Sequence, residues 1–588
     1  MRFRKRTLLL STIGLLVLIV AVFLSTYSAF PGNIRKTDFK VTTRGVKSIF
    51  KEGSIYRYPG IVPLLEVKGE HYEMGLQYGV LLKPEILKAV VSYEKILRWQ
   101  AENMGIPFIL LTSMAKYKAN EFSKRIPKRF LKEITGVSDG SGVSFDTILT
   151  VAMFYDIGES MGCSGILMRG KGGTIIHGRN QDSTSFGGEE IGKMSVIVKY
   201  HPTGYNSVTQ LDWPLFMGIE TGYNNKGLAY SEETLRIKKP NPDGFPIVYL
   251  SKLALEEAST IDDLYPLFDK YPVIGAYGSV WSDRDTGEGL VAELTAVGWA
   301  ATKMEKSILW NFNHIYNPKL KKEQIAKVNL ASGNWDREKI ATVFAKKDIY
   351  QPSDAVDFLR AQLGPGETDY AWHSDRRAIS NSAGHQMIVF HPKGDGVYAA
   401  FGPYHAARHQ VFHIHDDFSI EPDLYMESIE LPDLVRQIAV ERNRLTTEDQ
   451  KLTAFQKLAD KNSNDATIQF LAAKRALALK NADVFAQYAL NAYSLESSVP
   501  DYALFAGLAE FHRQRKDKAI ELLEGIDRTG IYPNRELLRV TALIKIYKNF
   551  DSAKQKQAEA IRDRILLEHD AQSYYESYIL PRIEALES

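Results

Sequence analysis

Between Ile166 and about Phe412, short β-prone runs alternate with Gly and Asn punctuation, and stretches that read as helical lie on either side. The runs begin at Thr174, Ser195, Gly227, Gly278, Ser307, Gln386 and Gly396, each four to six residues of branched or aromatic character. Asp283–Gly289 and His391–Gly396 are rich in turn formers and predict hairpins between neighbouring strands. Helices are expected inside this region at Ile247–Glu257 with Ile261–Phe268, and again at Asp354–Leu363. From Gly69 to about Leu149 the pattern is helical, broken by a Gly- and Ser-rich stretch from Thr135 that reads as a loop, with Ser144 placed to cap the next helix. Strands in runs, with helices grouped between them, predict α+β layers rather than a strictly alternating parallel sheet.

A chain of 588 residues exceeds what one compact core accommodates. After about Leu431 the texture is almost wholly helical, with segments at Ala466–Leu479, Asp483–Tyr493, Tyr502–Arg515 and Lys518–Leu523. Small residues in the segment from Tyr502 and a Lys-Ala-Ile start to the next resemble a tetratricopeptide-type helix pair, although a plain helical bundle fits as well. At the other end, Arg2, Arg4, Lys5 and Arg6 precede an uncharged apolar run from Thr7 to Leu24. That order predicts a membrane-spanning signal anchor or a signal peptide, with the anchor favoured because Tyr27 sits poorly beside a cleavage site near Ser28 or Ala29. The expected divisions are 1–30 for this segment, 31–62 for a stalk and first strand, 63–420 for the α+β domain and 421–588 for the helical domain. The α+β domain would then lie on the non-cytosolic side, exported or anchored, with the membrane as one partner and the terminal helices free to take a protein partner.

Lys and Arg total 73 against 71 Asp and Glu, so no basic field for nucleic acid follows. One cysteine in the whole chain excludes an intramolecular disulfide framework and any multi-cysteine metal site. An exported protein gains by losing free thiols, so a single retained one invites a chemical reason; the plain alternative is a small buried hydrophobe.

Cys163 sits where the helical part gives way to the β-rich part, between Gly162 and Ser164-Gly165. A strand is expected after it, then a turn at Lys171-Gly-Gly, then a strand ending in Arg179 and Asp182. A hairpin of that length returns Arg179 and Asp182 to the cysteine. A guanidinium there predicts a lowered thiol pKa, and a carboxylate there can hold an amine.

The pattern Cys163-Ser-x(11)-Ile-His-Gly-Arg179-Asn-x-Asp182 resembles the nucleophile segment of the acid ceramidase, N-acylethanolamine acid amidase and penicillin acyltransferase group of N-terminal-nucleophile hydrolases. Tyr72–Gly79, Glu133–Gly136, Gly222–Leu228 and Trp310–Ile315 resemble further segments of the same group. The resemblance covers about residues 62 to 420. It implies an αββα sandwich and self-cleavage at Gly162–Cys163, which frees the Cys163 α-amine as base to its own thiol. It further implies Arg179 holding the thiolate and the substrate carbonyl side, Asp182 orienting the amine, and Asn311 on the oxyanion side. Phe312-Asn313 stands where the group has Tyr-Asp, so the Asn311 role can pass to Asn313; Glu232 or Glu233 is a supporting candidate. The activity implied is amidohydrolase or acyltransferase chemistry on a small-molecule N-acyl amide, lipid-like ones included, through a Cys163 thioester and with no cofactor. The competing function class is a membrane-tethered helical scaffold that carries an inactive hydrolase-like domain.

Other motifs carry less. Gly162-Cys-Ser-Gly lacks the aromatic that follows a papain-type cysteine, and His177 reads as a satisfied strand residue. Gly170–Gly173 is a turn and no phosphate loop. His405, His409, His413, His415, Asp416 and Asp417 invite a metal reading, since His413 and His415 share one face of a strand. The reading taken is ordinary polar alternation on an exposed final strand, with no metal.

Overall fold

The computed structural model describes residues 30–153, 162–182, 191–325, 332–361, 378–421, 425–430, 432–443, 447–526, 533–548 and 550–587. The expected anchor or signal peptide lies outside the described residues; among them, no helix is long and apolar enough to cross a membrane. The chain forms two compact units: Met1–Leu320 with Lys347–Arg360 and Ala383–Ile429, and Lys321–Lys346 with Ala361–Ser382 and Glu430–Ser588. The division therefore falls after Ile429 rather than at 420, and two pieces within 321–382 go with the helical unit, as no composition change marked.

In the first unit, the strands are β1 (Thr42–Arg44), β2 (Lys47–Phe50), β3 (Gly53–Tyr56), β4 (Leu64–Gly69), β5 (Gly162–Arg169), β6 (Ile175–Asp182), β7 (Val196–Pro202), β8 (Val208–Asp212) and β9 (Thr221–Asn224). They continue as β10 (Leu228–Leu235), β11 (Ala276–Asp283), β12 (Glu288–Thr295), β13 (Gly298–Lys303), β14 (Ile308–Asn311), β15 (Gly384–Phe390), β16 (Val397–Phe401) and β17 (Phe412–Ile414). Among the described residues they build two sheets, one ordered β1-β2-β3-β4-β7-β8-β9-β10-β11-β12-β13 and the other β14-β5-β6-β15-β16-β17. The pair β4–β7 is parallel, with Leu64 opposite Ile197. Residues 31–62, expected as a stalk and first strand, hold three strands, β1–β3, at the edge of the larger sheet, where Ile55 and Phe50 bury their side chains.

The two sheets stack face to face. Leu64, Ile197, Leu211 and Ala229 from the larger sheet share one apolar cluster with Ile388, Phe390, Val397 and Ile414 from the smaller. Leu167 and Ile175 meet Val280 and Val291 in a second. Period-two alternation requires that one face of β5 and β6 look into this interface while the other looks away.

Helices cover the outer faces. The larger sheet carries α1 (His71–Leu81) and α6 (Ile247–Glu257), while α8 (Pro352–Arg360) lies on the smaller sheet, where Asn180 Nδ2 donates to the Leu359 carbonyl at 2.7 Å. Between α1 and α6 the chain adds α2 (Lys83–Met104), α3 (Phe108–Ser123), α4 (Lys128–Ser141) and α5 (Phe145–Ala152), and α7 (Leu264–Lys270) follows α6. Ser144 caps α5 by accepting from the Thr147 N–H at 3.4 Å.

The Gly-rich stretch from Thr135 is helix, not loop, and its glycines are the reason. Gly75 and Gly79 of α1 face Gly136 and Gly140 of α4 so closely that a Cβ on any of the four would run into the partner helix's backbone. Close packing of two buried helices repays the roughly 1 kcal/mol helix-propensity cost of each glycine. Gly75→Val is accordingly expected to lower stability by about 3 kcal/mol, the upper end of over-packing costs, read as a shift of the urea midpoint.

The second unit is helical. It includes Ala466–Ala478, Ala482–Leu495, Pro500–His512 and Lys516–Glu524, in which each helix packs on the next around Phe470, Phe485, Phe505 and Leu523. A Cβ at Gly507 would lie 2.7 Å from Leu523 side-chain carbons, so the small residue lets two successive helices approach.

Candidate active site

Strands β5 and β6 pair with Cys163 opposite Gln181 and Gly165 opposite Arg179, and β14 adds Asn311 opposite Gly165. Cross-strand partners share a face, so Cys163, Arg179, Gln181 and Asn311 all look into the space between the sheets. Arg179 Nη2 lies 3.2 Å from Cys163 Sγ. The Cys163 N–H donates to Asn313 Oδ1 at 2.8 Å. Asp182 stands opposite Gly162, the residue before the cysteine. A Cβ built on Gly162 would sit 3.6 Å from Asp182 Oδ2 and 3.9 Å from Asn313 Oδ1.

Arg179 is enclosed by acceptors. Its guanidinium donates to Thr221 Oγ1, to the Glu232 carbonyl, to the Glu220 carbonyl at 3.3 Å and to Glu220 Oε2 at 3.5 Å, and its Nε lies 3.9 Å from Glu233 Oε1. The side chain is 1% exposed, and Glu220 and Glu233 are fully buried. Hydroxyl, carbonyl and carboxyl oxygens around one guanidinium supply the partners that a buried cation, otherwise costly, requires.

Asn311 and Asn313 divide the work differently from the sequence expectation. Asn311 Nδ2 donates to the His314 carbonyl at 3.2 Å and its Oδ1 accepts from the Asn313 N–H at 3.0 Å, so it shapes the turn. That turn puts Asn313 at φ 61, a left-handed conformation that Asn tolerates, and aims its amide at Cys163. Asn313 also donates to the Thr234 carbonyl at 3.0 Å, which ties it to β10. The backbone nitrogen of Cys163 therefore meets Asn313, the alternative to Asn311 that the sequence left open. Of the two supporting candidates, Glu232 contributes its carbonyl, and Glu233 sets its carboxylate over Gly165, where a Cβ would collide with it.

One expectation about Cys163 is corrected. The thiol is fully buried. Burial also pushes it up to about 12 instead of down; Arg179 opposes this, while Glu233, Glu220 and Asp182 add to it. In the uncleaved chain the cysteine is thus held as a thiol.

Glu220, Thr221 and Gln181 were not singled out from the sequence. Gln181 Nε2 donates to Glu220 Oε2, and the Glu220 N–H donates to Asp212 Oδ2 at 3.1 Å, extending the cluster through β8. Burial raises the carboxyl of Glu220 well above its ordinary range, against the pull of Arg179. No local signal marks Glu220, because a Glu in a loop reads as solvated.

Glu233 is pushed up to about 8 by burial, with Arg179 and Ser231 pulling the other way. Its folded value exceeds the unfolded one, so between about pH 4.5 and 8 the folded chain keeps a proton that the unfolded chain has lost. Stability falls across that window as pH rises, by about 1.4 kcal/mol per pH unit for one such group. Glu233→Gln is expected to flatten the slope by about that amount in urea melts at about pH 5, 6.5 and 8.

His177 bridges Ser282 Oγ at 3.1 Å and Ser231 Oγ at 2.9 Å and is pulled down to about 3 by burial, so it is a neutral link between the sheets. His409 bonds the Tyr404 carbonyl at 3.1 Å, Asp416 engages Lys199 and Tyr223, and Asp417 accepts from Ser419. His405 is fully buried. These four residues do not converge with His413 and His415. The final strand is at a sheet edge, but His413 is buried there rather than exposed.

Residues 168–342 match the family model described as acyl-coenzyme A:6-aminopenicillanic acid acyl-transferase. The match begins five positions after Cys163 and spans Arg179, Asp182, Glu220, Glu232, Glu233, Asn311 and Asn313. Among curated proteins, the chain is 27% identical over 184 residues to protein dcd1B of Dictyostelium discoideum, covering 28% of this chain and 36% of that one. It is 24% identical over 200 residues to protein dcd1A of the same organism, covering 29% and 45%. The chain thus spans less than half the length of these relatives.

Solved structures matched include a Caenorhabditis elegans N-acylethanolamine-hydrolyzing acid amidase ortholog, at 15% identity and TM-score 0.28, covering 39% of this chain and 93% of that one. Penicillin V acylase from Agrobacterium tumefaciens matches at 12% and 0.28, covering 41% and 83%. A mutant conjugated bile acid hydrolase from Clostridium perfringens matches at 13% and 0.29, covering 46% and 99%. Scores this low add nothing to the fold read from the strands. Over residues 168–342 the chain carries the sequence pattern of the penicillin acyltransferase family, the same N-terminal-nucleophile group that the residues around Cys163 resemble.

Proposed function

We propose that this chain is a self-cleaving cysteine N-terminal-nucleophile amidohydrolase or acyltransferase with the αββα architecture of that group, acting on N-acyl amides through a Cys163 thioester. The observation that supports it most is the convergence on one residue: Arg179 Nη2 at 3.2 Å from the Cys163 sulfur, and Asn313 Oδ1 at 2.8 Å from its backbone nitrogen.

In the precursor, Cys163 Sγ attacks the Gly162 carbonyl carbon while the peptide nitrogen takes up a proton and leaves. Water then hydrolyses the thioester, freeing the Gly162 carboxyl and restoring the thiol. The new α-amine, with an ordinary value of roughly 7.7–8.0, takes the thiol proton in the next reaction without a histidine. Asn313 holds that nitrogen, and Asp182, opposite Gly162, supplies a carboxylate beside it. Arg179 faces the sulfur and stabilises the thiolate. Substrate acyl carbon bonds to Cys163 Sγ, the amine departs with a proton, and water or a second amine releases the acyl group.

N-terminal sequencing and intact mass of the purified protein test this. A fragment of 426 residues (588 − 162) beginning at Cys163 is expected, with its thiol labelled by an electrophilic probe. A chain uncut at that bond whose Cys163 resists the probe would leave the scaffold reading in its place.

A further inference from the structure

At the far edge of the smaller sheet, the β15–β16 turn, strand β17 and the segment after it bring two imidazoles and two carboxylates together. Asp395 Oδ2 lies 2.9 Å from His415 Nδ1, and Glu421 Oε1 lies 3.2 Å from His413 Nδ1 and 3.7 Å from His415 Nε2. Asp395, His413 and His415 each present one donor atom, all within 4.8 Å of one another. The arrangement is built rather than incidental. His391 Nδ1 accepts from the Lys393 and Asp395 N–H groups, each at 3.3 Å, and fixes the turn. A Cβ at Gly396 would collide with the Ile414 carbonyl, so glycine permits the turn to lie against β17.

The hydrogen-bond roles leave an electron-rich gap. His413 Nε2 lies 2.8 Å from the Asp395 carbonyl, which can only accept, so Nε2 carries the proton. Its other ring nitrogen, Nδ1, faces the Glu421 carboxylate. The His413 and His415 ring centroids lie 3.9 Å apart, tilted by 37°. Among the described residues, Asp395 and Glu421 form ion pairs only with these two histidines. A cation that binds nitrogen and oxygen together fits this grouping.

We propose that His413, His415 and Asp395 form a binding site for a divalent metal of the zinc class, with the Glu421 carboxylate beside it. Ligands about 2.0–2.1 Å from tetrahedral zinc lie about 3.3–3.5 Å apart, and one ligand atom each from Asp395, His413 and His415 already lie within 4.8 Å of one another, so small side-chain rotations reach that spacing. The bond from His413 Nε2 to a backbone carbonyl is the outer-shell contact that commonly orients a metal-bound imidazole. Partial exposure of His415 and Asp395 gives an entry path. Strands β16, β15 and β6 separate β17 from β5, so the site is remote from Cys163 and staples the sheet edge.

The test uses the full-length protein, stripped with a chelator and titrated with zinc chloride against a chromophoric competitor, with bound metal counted by elemental mass spectrometry. One zinc per chain is expected, with a zinc-dependent rise in melting temperature. His415→Ala and Asp395→Asn are each expected to weaken zinc binding at least about 10–100-fold, the cost of losing even an outer-shell partner. Asp395 lies in an exposed turn, so Asp395→Asn keeps the test valid if His415→Ala does not fold. Binding below one equivalent in the wild type, or equal affinity in a folded variant, overturns the proposal.

Discussion

Cys163→Ala is expected to remain a single chain of 588 residues and to show no amide hydrolysis above background. The substitution removes one sulfur from a fully buried position, so the fold should survive with a small cavity cost. What disappears is the only nucleophile able to attack Gly162 from the next residue, so cleavage stops instead of slowing. Loss of a covalent nucleophile costs on the order of 10⁴–10⁶ in rate. Cys163→Ser separates geometry from nucleophilicity: its hydroxyl occupies the same place but ionises far less readily, so slow, incomplete processing is expected. SDS gels and mass spectrometry of the three proteins, with circular dichroism as a fold control, provide the check. Cleavage of Cys163→Ala at the same bond would assign the cut to an external protease.

Arg179→Met is expected to lower stability by about 3–5 kcal/mol and to block processing. The side chain it replaces donates to Thr221, to Glu220 and to the Glu232 carbonyl while facing Cys163 and Glu233. Removing it leaves buried acceptors without a donor, and without its pull burial holds Glu220 and Glu233 more firmly still as neutral acids. Arg179→Lys should recover part of the stability, since it keeps the charge, but little of the cleavage, because one ammonium cannot reproduce a planar fork with five donors. Thermal melts read the first effect and intact mass the second. A stable but unprocessed Arg179→Lys locates the requirement in guanidinium geometry; full processing of that variant would reduce Arg179 to a counter-charge.

How much of this site was legible in the chain depends on sequence distance. Cys163, Arg179 and Asp182 belong to one hairpin, and the strand period carries Arg179 to the face shared with Cys163 before any other element is placed. Asn313 comes from 150 residues downstream and reaches the Cys163 nitrogen only because β14 pairs with β5 and its turn adopts a left-handed residue. Glu220 and Thr221 come from 41 and 42 residues beyond Arg179, Thr221 as the first residue of β9 in the opposite sheet and Glu220 just before it. Nothing in their neighbours distinguishes them from solvated residues until the sheets stack.

The same distinction explains the glycines of α4 and the histidines of β17. A Gly- and Ser-rich stretch scores as a loop when propensity is summed locally; it is helix because Gly75 and Gly79 leave room for Gly136 and Gly140 to pack on them. His413 and His415 share a face by period alone, but Asp395 and Glu421 join them through a turn and a return segment. The sequence by itself therefore determined the α+β division, the strand runs and the Cys163–Arg179–Asp182 spacing, since each depends on periodicity or a short covalent path. Tertiary structure alone decided which Asn meets the cysteine, which carboxylates surround Arg179 and how strongly the thiol is buried. Those outcomes follow from desolvation and close packing, which act between surfaces and leave no periodic trace along the chain.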